Sequence, residues 1–236
     1  MQDIKHKMNQ LGICVTDMQT QQLNDYYKLL VEKNKVMNLT AITEYDEVVI
    51  KHFVDSAAIV KALDLSKIKN VIDVGTGAGF PGMVLKIIFP ELKVTLLDSL
   101  NKRINFLNDV IDKLELNNIE AVHGRAEDAA HNKGYREKYD LVVARAVTNM
   151  SSLSEYCIPF AKVGGKFIAY KSDDCRDEVA QAGNAIKILG GDAPEVVKFT
   201  IPDTDITRSF VCVDKIRNSL TKYPRKAGLP TKEPIV

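Results

Sequence analysis

The sequence has few cysteines, and they are widely separated. Cys14, Cys157, Cys175 and Cys212 show no C-x-x-C spacing, so the pattern favours neither a zinc cage nor a disulfide framework, and no metal site is predicted. The chain also lacks any apolar run close to the roughly 18 residues that a membrane span requires. Its first residues lack the apolar core of a secretion signal. We therefore expect a soluble cytoplasmic protein.

The sequence also lacks an excess of either charge. With histidine neutral, 32 Lys and Arg against 31 Asp and Glu leave a net charge of +1 over 236 residues. This balance excludes a histone-like polycation and an acidic disordered tail as the whole protein. The charge is unevenly distributed, however, because the basic residues of the segment 215–236 face a single acid, Glu233. That end of the chain is suited to an anionic partner.

Hydrophobic periodicity divides the chain into three parts. Residues 1–64 carry helical spacing, as in Leu23, Tyr26 and Leu30, and are predicted to form a helical extension packed on the rest. From residue 65 to 215, short β-branched runs alternate with helical periods, which is typical of a parallel sheet covered on both faces. Residues 216–236 form a basic tail of the same domain. Strands are predicted at 70–75, 93–98, 119–123, 139–144 and 165–170, and helices at 80–89, 101–114, 148–159 and 174–189.

The end of this alternating region departs from a simple nucleotide-binding repeat. Two further strands, 195–201 and 208–214, are joined by a link too short for a parallel crossover, so they must form an antiparallel pair. The sequence therefore predicts an α/β doubly wound, Rossmann-like sheet that is mostly parallel and ends in an antiparallel hairpin. This arrangement resembles the class I S-adenosylmethionine-dependent methyltransferase fold.

A glycine-rich stretch lies where the first predicted strand turns into a helix. It reads Asp73-x-Gly75-x-Gly77-x-Gly79, followed by Phe80 and Pro81. Alternate glycines let the backbone approach a ligand and adopt positive φ without a Cβ penalty. The unpaired N–H groups at the start of the next helix favour an anion in the same space.

Two cofactors compete for this loop. Residues 77–82 can be read as G-x-G-x-x-G, which would indicate an NAD-dependent reductase, but a single match of this kind is weak. The dinucleotide motif begins directly at the strand end, and here the match begins late. The loop from Asp73 resembles methyltransferase motif I instead, in which an acid near the strand end helps to hold the methionine part of the cofactor. A glycine turn that binds nothing is the third reading.

Acidic residues follow the next two strands. Asp98 ends the second strand, where a carboxylate can accept both hydroxyl groups of a ribose, whichever cofactor is bound. Ala126 and Glu127 follow the third strand, at a position that resembles the adenine pocket of this fold, although composition alone indicates only a helix start. Lys102 and Arg103, in the first turn of the helix after Asp98, are either solvated surface charges or contacts to nucleic-acid phosphates.

Arg145 follows the fourth strand, so the switch-point rule directs it toward the active crevice. The N-P-P-Y-type tetrad of enzymes that methylate an exocyclic amine is missing at this position. A ring nitrogen such as guanine N7 already offers a lone pair, so its methylation needs no general base and depends mainly on positioning. Arg145 can then donate to guanine O6 or to the cofactor carboxylate, but not to N7.

Two further groups have competing interpretations. His52 and Ser56 share a helical face beside Asp55, which suggests hydrolysis, but no nucleophile-elbow motif surrounds Ser56, so helix capping or a cofactor lid is favoured. The segment 222–234, which contains Arg225 and Lys226, is either a disordered solvated tail or a flexible clamp on RNA phosphates.

Several short motifs occur together in one order. In combination they resemble the bacterial glucose-inhibited division protein B family, the 16S ribosomal RNA guanine-N7 methyltransferases, over nearly the whole chain. Of these motifs only the glycine loop is specific by itself. The motifs are Asn38-Leu39-Thr40-Ala41-Ile42, His52-x-x-Asp55-Ser56, Asp73-Val74-Gly75-Thr76-Gly77-Ala78-Gly79-Phe80-Pro81-Gly82, Ala126-Glu127, Ala144-Arg145-Ala146 and Arg225-Lys226-x-Gly228-x-Pro230.

The resemblance implies S-adenosylmethionine as cofactor and guanine 527 of the decoding-centre loop in the small ribosomal subunit as substrate. It implies cofactor contacts at Gly75, Phe80, Ala126, Glu127 and Arg145, to which the loop and strand-end arguments add Asp73, Gly77, Gly79 and Asp98. RNA contacts are expected at Lys102, Arg103, Arg225 and Lys226, and the protein is expected to be a monomer. A small-molecule methyltransferase, an NAD-dependent reductase and a non-catalytic RNA-binding module are the alternatives.

Overall fold

The computed structural model describes residues 4–145, 148–172 and 174–235. Ala146, which belongs to one of the motifs above, lies outside these ranges. Seven strands form one sheet in the order β3-β2-β1-β4-β5-β7-β6. The strands span Asn70–Val74 (β1), Lys93–Asp98 (β2), Ile119–His123 (β3), Tyr139–Arg145 (β4), Ala161–Ser172 (β5), Glu195–Thr200 (β6) and Thr207–Asp214 (β7).

Helices cover both faces of the sheet. In the described ranges, no helix is long and apolar enough to cross a membrane. The α-helices span Ile4–Gln10 (α1), Asp17–Met37 (α2), Tyr45–Val48 (α3), Asp55–Ala57 (α4), Gly82–Ile88 (α5), Asn101–Lys113 (α6), Ala126–Ala129 (α7), Met150–Cys157 (α8), Arg176–Leu189 (α9) and Leu229–Lys232 (α10).

The sheet is parallel from β3 through β5 and antiparallel at its end. β1 pairs in parallel with β2 and β4, and β4 pairs in parallel with β5. β7 is antiparallel to both β5 and β6, as the short link between the last two strands requires. The structure therefore confirms the predicted doubly wound sheet with an antiparallel final hairpin.

Strand alternation builds two hydrophobic cores. Val71 packs into the core that contains α2, α5 and α6, whereas the next residue, Ile72, packs into the core that contains α8 and α9. This is expected because successive side chains in a strand point to opposite faces. Buried apolar residues on both faces explain the continuous apolar runs of the central strands.

The N-terminal extension lies on the first of these cores. Helix α2 begins with a capping box, in which the Thr16 hydroxyl accepts from the backbone N–H of Gln19 and the Gln19 side chain accepts from that of Thr16. Its residues Leu23, Tyr26 and Leu30 are fully buried. After α3 the chain continues through a π-helical turn at Val49–Val54. Such turns occur often at functional sites, and this one lies beside the glycine loop.

The C-terminal segment is packed on the protein, which contradicts the disordered solvated tail, whereas its contact with RNA phosphates stays a prediction. Tyr223 is buried, and the Arg225 guanidinium forms an ion pair with the fully buried carboxylate of Glu155 on α8. The Ser152 hydroxyl donates to the carbonyl of Pro230 at 2.7 Å. Arg225 is therefore bound to the protein and is not a free cation, because the carboxylate that it neutralises has no access to water.

Candidate active site

Two cavities open at the carboxyl edge of the parallel strands. The first has a volume of about 390 Å³, within the usual range for small-molecule sites. It lies at the ends of β1, β2 and β3, which is where ligands bind in open α/β sheets. Its walls are formed by Val74, Gly75, Leu97, Asp98, Ser99, Arg103, Gly124, Arg125, Ala126, Glu127 and Tyr156.

The glycine loop crosses the edge of this first cavity. Gly75 has φ +73° and donates its N–H to the carbonyl of Leu97 at 2.8 Å, which ties the loop to β2. Gly77 has φ +63°, and a Cβ placed on it would meet no atom within 4 Å. The loop therefore presents bare backbone to open space beside the cavity, as a close-fitting ligand requires.

Asp98 organises the floor of the first cavity. Its Oδ2 accepts from the N–H of Gly77 at 2.9 Å and from Arg103 Nη1 at 3.1 Å, and its Oδ1 accepts from the N–H of Leu100 at 2.9 Å. One buried carboxylate thus joins the glycine loop to the start of α6. Arg103 lines the cavity through this ion pair, whereas Lys102 is exposed.

Glu127 receives an unexpected partner from the C-terminal segment. Its Oε1 accepts from the N–H of Gly228 at 2.8 Å, across 101 residues of sequence. Tyr156, another wall residue, shares a hydrogen bond with the Thr231 hydroxyl at 2.6 Å. The tail therefore supports the wall that also contains Ala126, and it does so through two side chains that line the cavity.

Asp73 supports the loop from beneath and does not line the first cavity. Its side chain is fully buried, and Oδ2 accepts from the Thr76 hydroxyl at 2.7 Å and from the N–H of Gly82 at 2.8 Å. Burial raises the pKa of Asp73 to about 6, although both hydrogen bonds favour the carboxylate. Its Oδ1 has no hydrogen-bond partner among the described residues.

Gly79 and Phe80 face the N-terminal extension. The Tyr26 hydroxyl donates to the carbonyl of Ala78, and a Cβ on Gly79 would lie 2.6 Å from the Tyr26 oxygen. The Phe80 ring stacks on the His52 ring with 4.4 Å between centroids, and the Arg145 guanidinium lies 5.1 Å from the Phe80 centroid. These three side chains form a stack, which we call the Phe80 stack.

Two members of the Phe80 stack, His52 and Arg145, line the second cavity. That cavity has a volume of about 670 Å³ and lies at the ends of β4 and β5. Arg145 and His52 therefore belong to this second cavity and not to the first. Its walls are formed by Ile42, Lys51, His52, Asp55, Arg145, Thr148, Asn149, Tyr170, Lys171, Ser172, Glu178 and Arg208.

The charged groups on one wall of the second cavity are arranged around the Asp55 carboxylate. Its Oδ2 accepts from Arg145 Nη1 at 2.9 Å, and its Oδ1 accepts from Arg208 Nε at 2.8 Å. His52 lies against Arg145, with 3.3 Å between its Nδ1 and Nη2 of the guanidinium. Burial, together with the positive charge of Arg145, lowers the pKa of His52 to about 4, so this imidazole is neutral near pH 7.

The same geometry excludes the hydrolytic reading of His52 and Ser56. The Ser56 hydroxyl is fully buried and has no hydrogen-bond partner in the described part of the chain. The His52 nitrogen atoms instead lie within hydrogen-bond distance of Thr40 Oγ1, at 2.9 Å, and of Arg145. An activated serine nucleophile requires a base in contact with its oxygen, and no such contact exists here.

Sequence reasoning did not identify several residues that complete these sites. Tyr156 and Arg125 line the first cavity, and Lys171, Glu178 and Arg208 line the second. Tyr26, which bonds to the loop, was identified only as a helix core residue. The positions of Lys171 and Glu178, near a strand end and in the first turn of a helix, are the only signal that the sequence offers.

The first cavity and its loop fit a nucleoside that carries an amino-acid group. Asp98 places a carboxylate where ribose hydroxyls can donate to it, and Gly75 and Gly77 give bare backbone for the amino-acid part. These features fit S-adenosylmethionine, which supplies an electrophilic methyl group when bound.

Solved structures share this fold. A SAM-dependent methyltransferase from Aquifex aeolicus superimposes with TM-score 0.54 at 17% identity, over 76% of this chain and 97% of that chain. The structure titled PigF with SAH gives 0.53 at 16% identity, over 68% and 61% of the two chains. Fibrillarin from Methanococcus jannaschii gives 0.51 at 19% identity, over 68% and 74%. These likenesses show that the chain shares its fold with a protein of the S-adenosylmethionine-dependent methyltransferase class.

Sequence comparison identifies the family. A family model described as GidB, rRNA small subunit methyltransferase G, matches residues 19–207. Proteins named ribosomal RNA small subunit methyltransferase G match from Lachnoclostridium phytofermentans, 49% identical over 97% of this chain and 95% of the relative, and from Limosilactobacillus reuteri, 51% identical over 95% and 94%. The chain therefore belongs to the rRNA small subunit methyltransferase G family. This membership confirms the predicted enzyme class, an S-adenosylmethionine-dependent rRNA methyltransferase.

Proposed function

We propose that this protein transfers a methyl group from S-adenosylmethionine to N7 of a guanine in 16S rRNA, at position 527 of the decoding-centre loop in standard rRNA numbering. The observation that carries this proposal is the pair of cavities at the carboxyl edge of the sheet, one lined by Gly75 and Asp98 and the other by His52 and Arg145. One cavity fits the methyl donor and the other has room and charge for an RNA base. The position in the rRNA follows from the family resemblance.

The residues of the first cavity hold the donor in this proposal. The Asp98 carboxylate accepts the ribose hydroxyls, and Ala126 and Glu127 contact the adenine. Gly75 and Gly77 give the methionine part close contact with the backbone. Phe80 and Arg145 contribute from the other side of the loop, where the stack sets the position of the loop end.

The chemistry needs no general base. Guanine N7 has an in-plane lone pair, so the reaction is a direct in-line displacement whose rate depends on positioning. Positive charge passes to the base during transfer, which makes a cation against N7 unfavourable. Asp55 partly offsets the two guanidinium groups on the cavity wall. Arg145 is therefore proposed to act on the O6 side of the base or on the donor carboxylate.

Exposed cations contribute to binding of the RNA in this proposal. Lys102 at the start of α6 and Lys226 in the C-terminal segment are exposed, and Arg103, next to Lys102, lines the first cavity. The affinity that phosphate contacts of this kind contribute falls as the salt concentration rises. Arg225 is not part of this set because Glu155 holds it. We propose a cytoplasmic monomer, since the ribosomal substrate is cytoplasmic, and light scattering in solution tests the oligomeric state.

Mass-spectrometric mapping of nucleosides tests the proposal. Small subunits from cells lacking the protein are incubated with the purified chain and S-adenosylmethionine carrying a labelled methyl group. We expect label in one 7-methylguanosine in the decoding-centre loop. Label on an exocyclic amine, at another position, or only on small molecules would contradict the proposal. The Asp98→Asn variant, in which donor binding should be weakened, serves as the negative control.

A further inference from the structure

The charged groups of the second cavity come from the two faces of the sheet. Tyr170 and Lys171 are adjacent in β5, so their side chains point to opposite faces. The Tyr170 hydroxyl donates to the carbonyl of Ser56 at 2.8 Å, which places Tyr170 on the face of the N-terminal helices. Lys171 therefore projects from the other face, where α9 lies. The cavity has one wall around Asp55 and a second wall around Lys171.

The second wall contains a fixed ion pair. Lys171 Nζ lies 2.6 Å from Oε1 of Glu178 and donates to the carbonyl of Thr148 at 2.9 Å. The Lys171 side chain is only 13% exposed, and that of Glu178 is 31% exposed. Two bonds to Lys171 and its low exposure hold the ammonium in place. The carboxylate retains access to the cavity that it lines.

We infer that the Lys171–Glu178 pair reads the Watson–Crick edge of the target guanine. This inference rests on the proposed function. The edge presents an acceptor at O6, a donor at N1 and a second donor at the N2 amino group. The pair presents one donor, the ammonium, followed by the two acceptor oxygens of the carboxylate. This donor, acceptor, acceptor order is the one that cytosine offers to guanine, and it opposes adenine, whose amino group would face the ammonium.

The same contact orients the base for the reaction. N7 lies beside O6 and far from N2, so a base held in this way directs N7 away from Glu178 and leaves it next to the O6 contact. Asp55 cannot replace Glu178 in this role, because both of its oxygens bind guanidinium groups, at 2.9 Å and 2.8 Å.

Inosine provides the test because it lacks only the N2 amino group. Small subunits are reconstituted with guanosine or inosine at the target position, and kcat/KM is measured with labelled S-adenosylmethionine. We expect the wild-type protein to prefer guanosine by about tenfold or more. Glu178→Gln replaces one acceptor with a donor, so it should lower kcat/KM for guanosine by about 100-fold and reduce the preference to within about threefold.

Two controls separate base reading from a structural effect. Glu195→Gln changes an exposed carboxylate on β6 and should leave both rates unchanged. Affinity for S-adenosylhomocysteine should be the same in Glu178→Gln and wild type, because Glu178 does not line the first cavity.

If the variant does not fold, the wild-type comparison decides, since equal wild-type rates on guanosine and inosine overturn the inference alone. Absence of any N7 methylation by wild type overturns the proposed function, and this inference with it. Retained preference in a folded Glu178→Gln variant also overturns the inference.

Discussion

Arg225 and Glu155 form a bidentate ion pair that attaches the C-terminal segment to α8. Arg225 Nη2 lies 2.7 Å from Oε2 of Glu155, Nε lies 2.9 Å from Oε1, and the backbone N–H of Arg225 also donates to Oε1 at 2.6 Å. The Glu155 side chain has no exposed surface, whereas that of Arg225 is 24% exposed. The pair therefore satisfies a carboxylate that water cannot reach, and it holds the segment that contacts Glu127.

Arg225→Ala should destabilise the protein by about 3 kcal/mol, because it leaves a buried carboxylate unpaired. Glu155→Gln should cost less, since the partly exposed Arg225 can be hydrated instead. Adding Glu155→Gln to Arg225→Ala should recover more than half of the loss. Urea denaturation measures these free energies. Lys226→Ala is the matched control and should change stability by less than about 0.5 kcal/mol. If Arg225→Ala lost no more stability than Lys226→Ala, the ion pair would be shown to be unimportant.

Asp98→Asn should weaken binding of S-adenosylhomocysteine by about 30-fold. The carboxylate accepts from Gly77, Leu100 and Arg103, and an amide cannot accept all of these while also facing ribose hydroxyls. Loss of a hydrogen bond to a charged group costs about 2 kcal/mol. Isothermal titration calorimetry measures the affinity. Asp109→Asn, on the exposed side of α6, is the control, and equal affinities of Asp98→Asn and wild type would contradict the assignment.

Gly79→Ala should mainly lower folding stability, whereas Gly77→Ala should mainly lower donor affinity. A Cβ on Gly79, at φ +104°, would lie 2.6 Å from the Tyr26 oxygen and 2.9 Å from Leu107 Cδ2, so Gly79→Ala should cost about 3 kcal/mol of folding stability. Gly77 faces open space, so Gly77→Ala should cost about 1 kcal/mol for its left-handed backbone but lower donor affinity. Denaturation and calorimetry on both variants separate these effects, and equal stability losses would disprove the distinction.

Protonation of His52 should make the folding stability depend on pH. Its folded pKa of about 4 lies below the ordinary 6.5, so the unfolded state takes up a proton first as the pH falls from 6.5 toward 4. This lowers stability by about 2 kcal/mol between pH 7 and pH 5. Asp73, whose folded pKa is raised from 3.8 to about 6, takes up a proton first in the folded state and offsets about 1 kcal/mol of that loss over the same range.

His52→Gln should therefore remove the acid sensitivity that histidine causes. Relative to wild type, this variant should become more stable as the pH is lowered from 7 to 5, whereas Asp73→Asn should become less stable. Urea denaturation at both pH values provides the measurement. The two variants should change in stability in opposite directions relative to wild type as the pH is lowered. If the stability of both changed in the same direction, the assigned protonation states would be ruled out.

Lys102→Ala should weaken binding to small ribosomal subunits and reduce the slope of log affinity against log salt by about 1. Lys113→Ala, at the other end of α6 and about 16 Å away by helix geometry, is the matched control. Both side chains are exposed, so neither change should alter stability. Filter binding at several salt concentrations tests this, and equal slopes for the two variants would remove Lys102 from the RNA surface.

Local features explain what the sequence could predict. The seven strands were located within a few residues of their observed ends, because each is a short apolar run between turn residues. Gly75 and Gly77 were recognisable because positive φ beside a strand end is a local requirement. Family resemblance supplied the enzyme class.

Contacts between distant segments explain what it could not predict. Arg145 was expected near the donor, but its main partner is Asp55, 90 residues earlier in the chain. Helix α5 begins at Gly82 and not at the predicted residue 80. The basic tail and the family resemblance predict an RNA contact at Arg225, but they do not reveal its buried partner Glu155, which lies 70 residues away. Charge in a sequence does not reveal which cations are already neutralised.

The strand order leaves β3 and β6 at the two borders of the sheet. The unpaired backbone N–H and C=O groups of such edge strands can pair with a strand of another polypeptide, which is a route to aggregation. β3 carries exposed Glu120 and His123, and β6 carries exposed Glu195 and Lys198. A strand added at either border would have to strip water from these polar groups. The sheet can therefore remain open at both ends without seeding intermolecular β-structure.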